Sequence, residues 1–340
     1  MPGDTAWAVF PNTVDEWCSG FWPGILWYDY ALTRDADVQR AAWGWTRAIR
    51  NYAFQPVYDH DLGMMMMASW ANALRFSSPS SPQSSDCPKV LLSAADSLST
   101  LFNPTVGTLL SWPRHVIDYH GHNTVISSLV NLELLLLANE LTGDSAYMDI
   151  ALRHADTTMV NQFRTDGSCY HVSVYDPHTG YHLYNCTQAG ATDESVWARG
   201  QSWAIYGYTS LYRYTRRQRY LDFARKLTDV YLQQLPSDMV PYWDFNRTDF
   251  RDASSAAVVA SALLDLATFV QGETSDRYHR AALQMLASLS QPPYISGPTN
   301  AAFLLHSVGN YKTDTDVDAS IVTTDYYYIE ALYKLKQLSR

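Results

Sequence analysis

The sequence predicts an all-α chain built from helix hairpins. Nine segments carry apolar residues at i, i+3 and i+4, the spacing that gives a helix one buried face. Turn and cap residues separate them at about two helices per 45–55 residues, as hairpins require. Period-two alternation, the mark of a strand, occurs in one stretch only. Roughly ten to twelve such helices could close a ring of hairpins, an (α/α) toroid.

In chain order, DADVQRAAWGWTRAIRNY (35–52) is the first of these helices and VLLSAADSLSTLF (90–102) the second. Between them, YDHDLGMMMM places Asp59, His60 and Asp61 just before a helix, with Asp61 suited to its N-terminus and Gly63 to the turn. Met64 to Met67 read as core, or as the wall of an apolar pocket. SSPSSPQSSD (77–86) reads as a flexible surface loop that separates no domains. HNTVISSLVNLELLLLANELTGD (122–144) reads as one buried helix with a polar stripe of Asn123, Ser127 and Asn131. Gly143 stops it, and Asp144 caps the next helix, SAYMDIALRHADTTMVNQF (145–163). SCYHVSVYDPHTGYHLY (168–184) is the alternating stretch, with DPHTG as its hairpin turn. VWARGQSWAIYGYTSLYRYT (196–215) follows, with Asp193 or Ser195 as its cap, and then RYLDFARKLTDVYLQQL (219–235). SSAAVVASALLDLATFVQ (254–271) is capped from Asp252, and its small residues allow close helix packing. DRYHRAALQMLASLS (276–290) and TTDYYYIEALYKLKQL (323–338) complete the set.

Composition narrows the function. With 47% apolar and 17% charged residues, 340 residues can bury a large core. Aromatics at 14% suit a pocket for a ring-shaped ligand. A net charge of −10 argues against nucleic acid as partner but leaves room for an anionic small ligand held by local arginines. Cys18, Cys87, Cys169 and Cys186 are scattered without CxxC spacing, which argues against a zinc site and reads as free thiols of a reducing compartment. No basic segment followed by an apolar one opens the sequence, which points to a cytoplasmic location. ELLLLA is far too short to span a bilayer. Neither a phosphate loop nor a dinucleotide fingerprint nor a metal-ligand cluster is visible, so no cofactor and no metal are expected. Nothing in the sequence speaks to oligomeric state.

Two stretches carry candidate chemistry. In DESVWARGQSWAIYGY, Arg199 and Trp203 lie four apart on one helix face. A buried guanidinium needs a partner. That partner is either a structural carboxylate or a ligand carboxylate, held by Arg199 and stacked on Trp203. In DYHGHN, Asp118, His120 and His122 approach the polar stripe, and a histidine there can act as acid or base or simply bond to its loop.

Taken together, GFWPGILWYDY, DHDLG, NLELLLLANELTGD, YHVSVYDPHTG, DESVWARGQSWAIYGYTSLYRYT, VPYWDFNRTDFRDASSAAVVASALL and DYYYIEALYKL resemble the unsaturated glucuronyl hydrolases, glycoside hydrolase family 88. The resemblance spans almost the whole sequence. It implies one (α/α)6-barrel domain (a six-hairpin toroid) over residues 1–340, with the site at the end carrying the longer loops. It also implies hydration of the C4=C5 vinyl ether of an unsaturated uronic acid. A carboxylic acid protonates the alkene, its carboxylate activates water, and the hemiketal collapses with loss of the glycosidic bond.

By the same resemblance Asp61 matches the aspartate of an HHD-like motif. The acid/base aspartate belongs four residues before the Asn of NLxLL, here Asn131, and Ser127 occupies that position. Trp112, His171, Gln188, Arg199 and Trp203 fall where the family contacts its ligand, and Trp22 joins the aromatic wall. A serine hydroxyl is a poor proton donor to carbon. Three readings follow: Asp61 takes over as acid/base; the pocket serves a non-hydrolytic reaction (cyclase, pericyclase, isomerase or lyase) in small-molecule metabolism; or the protein binds a carbohydrate or small ligand without catalysis. The expected catalytic residues are Asp61, His171 and His122. The expected ligand contacts are Trp22, Trp112, Asn123, Ser127, Gln188, Arg199 and Trp203, in one cavity for a small molecule or oligosaccharide.

Overall fold

Helix dominates the computed structural model, which describes residues 17–54, 57–78, 81 and 83–339. The chain divides into two compact units: residues 17–162 with 172–185, and residues 163–171 with 186–339.

The first unit opens with a hairpin of α1 (Phe21–Thr33) and α2 (Ala36–Ala48). Arg34 turns the corner in the left-handed region, and the Asp35 carboxylate accepts the N–H groups of Asp37 and Val38. α1 was not expected as a helix. It is apolar on several sides, burying Phe21, Ile25, Trp27 and Tyr28, so it shows no stripe, and its Pro23 sits harmlessly in the first turn. α3 (Leu62–Met66) continues through a π-helical turn, Met67–Ala71, into α4 (Asn72–Phe76). Met64, Met65 and Met66 are buried, as core methionines should be.

The described residues of the serine-rich segment are irregular up to Gln83 and end in a single turn, Ser84–Asp86. Ser77 and Ser84 are both buried, and their hydroxyls bond each other at 2.7 Å, so the stretch is pinned at both places. Pro79, Ser80 and Pro82 lie outside the described residues.

α5 (Cys87–Ser99) leads to two-residue strands β1 (Phe102–Asn103) and β2 (Thr108–Leu109), and then to the single turn α6 (Val116–Tyr119). The helix expected from residue 122 begins only at Ser128. His122–Val125 is a strand, β3, antiparallel to β4 (Val172–Tyr175), with His122 opposite Tyr175 and Val125 opposite Val172. Both strands are buried throughout, and a short buried strand cannot be told from a helix by periodicity. Asn123 is therefore not on the helix.

α7 (Ser128–Thr142) and α8 (Ser145–Asn161) form the next hairpin. Gly143 has a φ of 75° and donates to Asn139 O at 2.7 Å, and Asp144 caps α8, both as the sequence suggested. β5 (His182–Cys186) completes a sheet of order β3-β4-β5. Its turn is the expected DPHTG, in which Asp176 Oδ1 accepts the N–H groups of His178 and Thr179 at 2.8 Å each.

In the second unit α9 (Ala198–Thr215) packs on α10 (Gln218–Gln233) and on α11 (Ala253–Phe269), and α11 packs on α12 (Gly272–Leu289) and α13 (Val322–Leu338). α11 is buried almost end to end, which its run of Ala, Ser and Val permits. Asp252 caps it, accepting Ser254 N–H at 3.1 Å. Neither Asp193 nor Ser195 caps α9. Asp193 accepts Thr187 N–H at 2.8 Å, and Ser195 donates to Asp244 at 2.5 Å.

Candidate active site

In the first unit the carboxyls of Asp59 and Asp61 lie at the start of α3. Asp61 occupies the N-cap position, but its side chain makes no capping bond. Instead Asp61 Oδ1 accepts from Asn131 Nδ2 at 3.3 Å. The orientation of that amide is set by chemistry, since Asn131 Oδ1 accepts the Met64 backbone N–H at 2.6 Å. Its Nδ2 therefore faces Asp61, the Ser127 carbonyl at 3.2 Å and His60 Nδ1 at 3.2 Å. This contact requires α3 and α7 to approach closely. A Cβ on Gly63 would stand 2.5 Å from Asn131 O and 2.7 Å from its Cα, so only glycine fits.

The histidine tautomer follows. His60 Nδ1 receives the Asn131 N–H and so carries no proton, which leaves the proton on Nε2, 3.6 Å from Asp61 Oδ1. Ser128 Oγ is 2.9 Å from the same Nδ1, and Ser111 Oγ is 2.8 Å from Ser128 Oγ. Burial lowers His60 to about 4, so the ring is neutral near pH 7. Burial also raises the Asp61 carboxyl from 3.8 to about 6, against the pull of Asn131 and Arg114. Asp59 rises to about 6 as well, through burial and then the charge of Asp61. Arg114 Nη2 lies 3.7 Å from Asp59 Oδ2, and its guanidinium stacks 3.9 Å over the Tyr58 ring.

Ser127 is the residue immediately before α7. It is 9% exposed, it makes no capping bond, and its hydroxyl has no partner among the described residues. Asn123 serves a different purpose from a helix stripe. Its amide clamps the backbone of Trp112, accepting Trp112 N–H at 2.9 Å and donating to Trp112 O at 3.1 Å. The half-buried Trp112 ring stacks on Tyr119 and presents an edge to His60. Trp22 on α1 is 39% exposed.

Strand alternation sends His122 the other way from Asn123. His122 Nε2 bonds Thr108 Oγ1 at 2.9 Å, its ring meets Tyr175, and burial lowers it to about 4. The expectation of a catalytic His122 beside the stripe is thereby corrected: the ring sits in a packed polar cluster. Asp118 pairs with His115 at the surface, and His120 is exposed.

In the second unit His171 Nδ1 accepts the backbone N–H groups of Gln188 and Ala189, each at 3.1 Å, so its proton resides on Nε2. Its ring lies 4.5 Å from Trp197. Gln188 contributes its backbone to this cluster, and the residue is exposed. Arg199 is buried and engaged. It donates to Asp252 Oδ2 at 3.1 Å, Ser254 Oγ at 3.0 Å, and the carbonyls of Val308 and Gly309. Of the two partners the sequence allowed, the structure contains the carboxylate of Asp252. The guanidinium lies 4.7 Å over Trp197, and Trp203 is buried against Tyr327.

Sequence reasoning named His60 in its motif and Asn131 in the polar stripe without giving either a role, passed over Arg114, and treated Asp252 as a helix cap. The roles of all four needed the contacts themselves. No group of His, Cys, Asp or Glu among the described residues could hold a metal ion, and none of their helices is long and apolar enough to cross a membrane.

No family model matches the sequence. An unsaturated glucuronyl hydrolase of Formosa agariphila is 38% identical over 331 residues, 95% of this chain and 80% of the relative. Among solved structures, an unsaturated glucuronyl hydrolase specific for heparin superposes with a TM-score of 0.88 at 36% identity, over 96% of this chain and 87% of that one. The unsaturated glucuronyl hydrolase of Bacillus sp. GL1 gives 0.91 at 30% identity, over 98% and 89%. The fold class is theirs: all-α, an (α/α)6 barrel.

Proposed function

The chain belongs to the unsaturated glucuronyl hydrolases, enzymes of the glycoside hydrolase class, and from that premise we propose that it hydrates the C4=C5 vinyl ether of an unsaturated uronyl sugar with Asp61 as acid/base. The Asp61 carboxyl carries this reading. A group that must first give a proton to carbon and then take one from water works best when both of its forms are populated near the working pH. Asp61, raised to about 6 and steered by Asn131, meets that condition. The protonated Nε2 of neutral His60 lies 3.6 Å from the same carboxyl and makes no hydrogen bond among the described residues. Trp112 and Trp22 supply aromatic faces for a sugar ring. Ser127 offers a hydroxyl to the ligand.

The purified protein is incubated with an unsaturated uronyl disaccharide, and loss of the alkene absorbance at the ultraviolet edge is followed. Turnover is expected, and Asp61→Asn should reduce kcat by about 10²–10⁴-fold, the usual contribution of a positioned acid/base.

One observation favours a second reading. Ser127 stands where the family's acid/base belongs by resemblance, and its hydroxyl is committed to nothing in the protein. A site that keeps Asp61 and binds through hydroxyls suits a non-hydrolytic cyclase, pericyclase, isomerase or lyase. Binding of the disaccharide, or of another small ligand, without alkene loss would select that reading.

A further inference from the structure

Asp59 lies two residues before Asp61, and its Oδ1 accepts the Asp61 backbone N–H at 2.9 Å. Its side chain keeps 12% of its surface exposed and that of Asp61 14%, so both carboxyls are largely enclosed but reachable. Ser127 lies near Asp61, because one amide nitrogen of Asn131 serves both the Ser127 backbone carbonyl and Asp61 Oδ1. The site thus combines a nine-tenths-buried hydroxyl without a partner and two neighbouring carboxyls.

We propose that Asp59 is a second catalytic carboxyl, holding one proton jointly with Asp61 and supplying the acid/base group that position 127 lacks. The proposal rests on the hydrolase reading above. Two neighbouring buried carboxyls ionise in two separated steps, so between those steps the site holds one acid and one base at once. The groups facing the pair are His60, which is neutral, Arg114, which is cationic and 3.7 Å from Asp59, and the uncharged Asn131. The charge of Asp61 adds to burial in raising Asp59, which agrees with such sharing.

The chemistry balances. The protonated carboxyl gives its proton to C4. The C4=C5 π pair becomes the new C–H bond, leaving an oxocarbenium ion at C5. Water adds its oxygen to C5 as the ionised carboxylate takes a water proton. The pair ends with one proton, as it began. The hemiketal then opens and the aglycone leaves.

Asp59→Asn tests this in the full chain, because the asparagine oxygen can still accept the Asp61 N–H. Carbon-13 NMR of aspartate-labelled protein follows the Asp61 titration, and alkene absorbance follows turnover of the unsaturated uronyl disaccharide across pH. The Asp61 titration should move to lower pH once the like charge is gone. At the same time kcat should fall by at least about 100-fold, and one limb of the pH profile should disappear. An unmoved Asp61 titration, or a variant with the wild-type rate and profile, overturns the proposal and leaves Asp61 as a lone acid/base. A wild type that never consumes the alkene overturns the hydrolase reading, and this proposal with it.

Discussion

Arg199 should prove to be a structural residue first. Its guanidinium is buried and bonded to Asp252, Ser254 and the carbonyls of Val308 and Gly309, while Asp252 itself is fully buried. Arg199→Ala removes the cation and leaves the Asp252 carboxylate with only Ser254 and the Val308 N–H. Breaking one side of a buried pair costs about 3–5 kcal/mol. At about 2–4 °C per kcal/mol for a unit of this size, Tm should fall by roughly 6–20 °C without any ligand present. The assay is thermal and urea unfolding, read by circular dichroism and tryptophan fluorescence. A double-mutant cycle with Asp252→Asn should show coupling of about 0.5–3 kcal/mol, since the second change removes the stranded charge. An Arg199→Ala protein that melts with the wild type, or a cycle that is strictly additive, would refute the ion-pair account and return the guanidinium to a ligand carboxylate.

Gly63→Ala should cost about 1–3 kcal/mol, because its Cβ would stand 2.5 Å from Asn131 O and push α3 from α7; unfolding gives the loss, and a shifted Asp61 titration would show that the Asn131 contact has gone with it. Ser127→Asp should gain less than about 10-fold on an unsaturated uronyl disaccharide if Asp59 and Asp61 already carry the proton transfers, and a gain of about 10² or more would show that they do not. His122→Gln should flatten the acid side of the stability curve. The folded ring titrates near 4 while the unfolded one takes a proton near 6.5, so stability present above pH 6.5 is lost as pH falls toward 4. Gln keeps a bond to Thr108 and removes up to about 3 kcal/mol of that loss, measured by urea unfolding between pH 4 and 7.

Each of the nine periodic segments contains a helix because an apolar face is written into it, helped in places by a cap such as Asp144 or Asp252 or a stop such as Gly143. Those are local properties, and neighbours along the chain suffice to read them. The segment from His122 to Val125 failed for the opposite reason. Its four buried residues are a strand only because Val172–Tyr175 lies beside them, nearly fifty positions later.

For the site, the residue types and the family were present in the sequence, including Asp61 in its motif and the serine at position 127. What they do was decided by contacts between distant elements. Asp61 is a raised acid because the fold buries it, and Asn131, which reaches it because Gly63 lets α7 come close, pulls in the opposite direction. Arg199 is paired because Asp252 lies 53 residues away in sequence and 3.1 Å away in space. The sequence by itself determined the all-helical class, most of the helix ends and the candidate acids. Only the tertiary structure decided partners, tautomers and pKa values, because burial and hydrogen bonding are properties of what surrounds a group and not of the group itself.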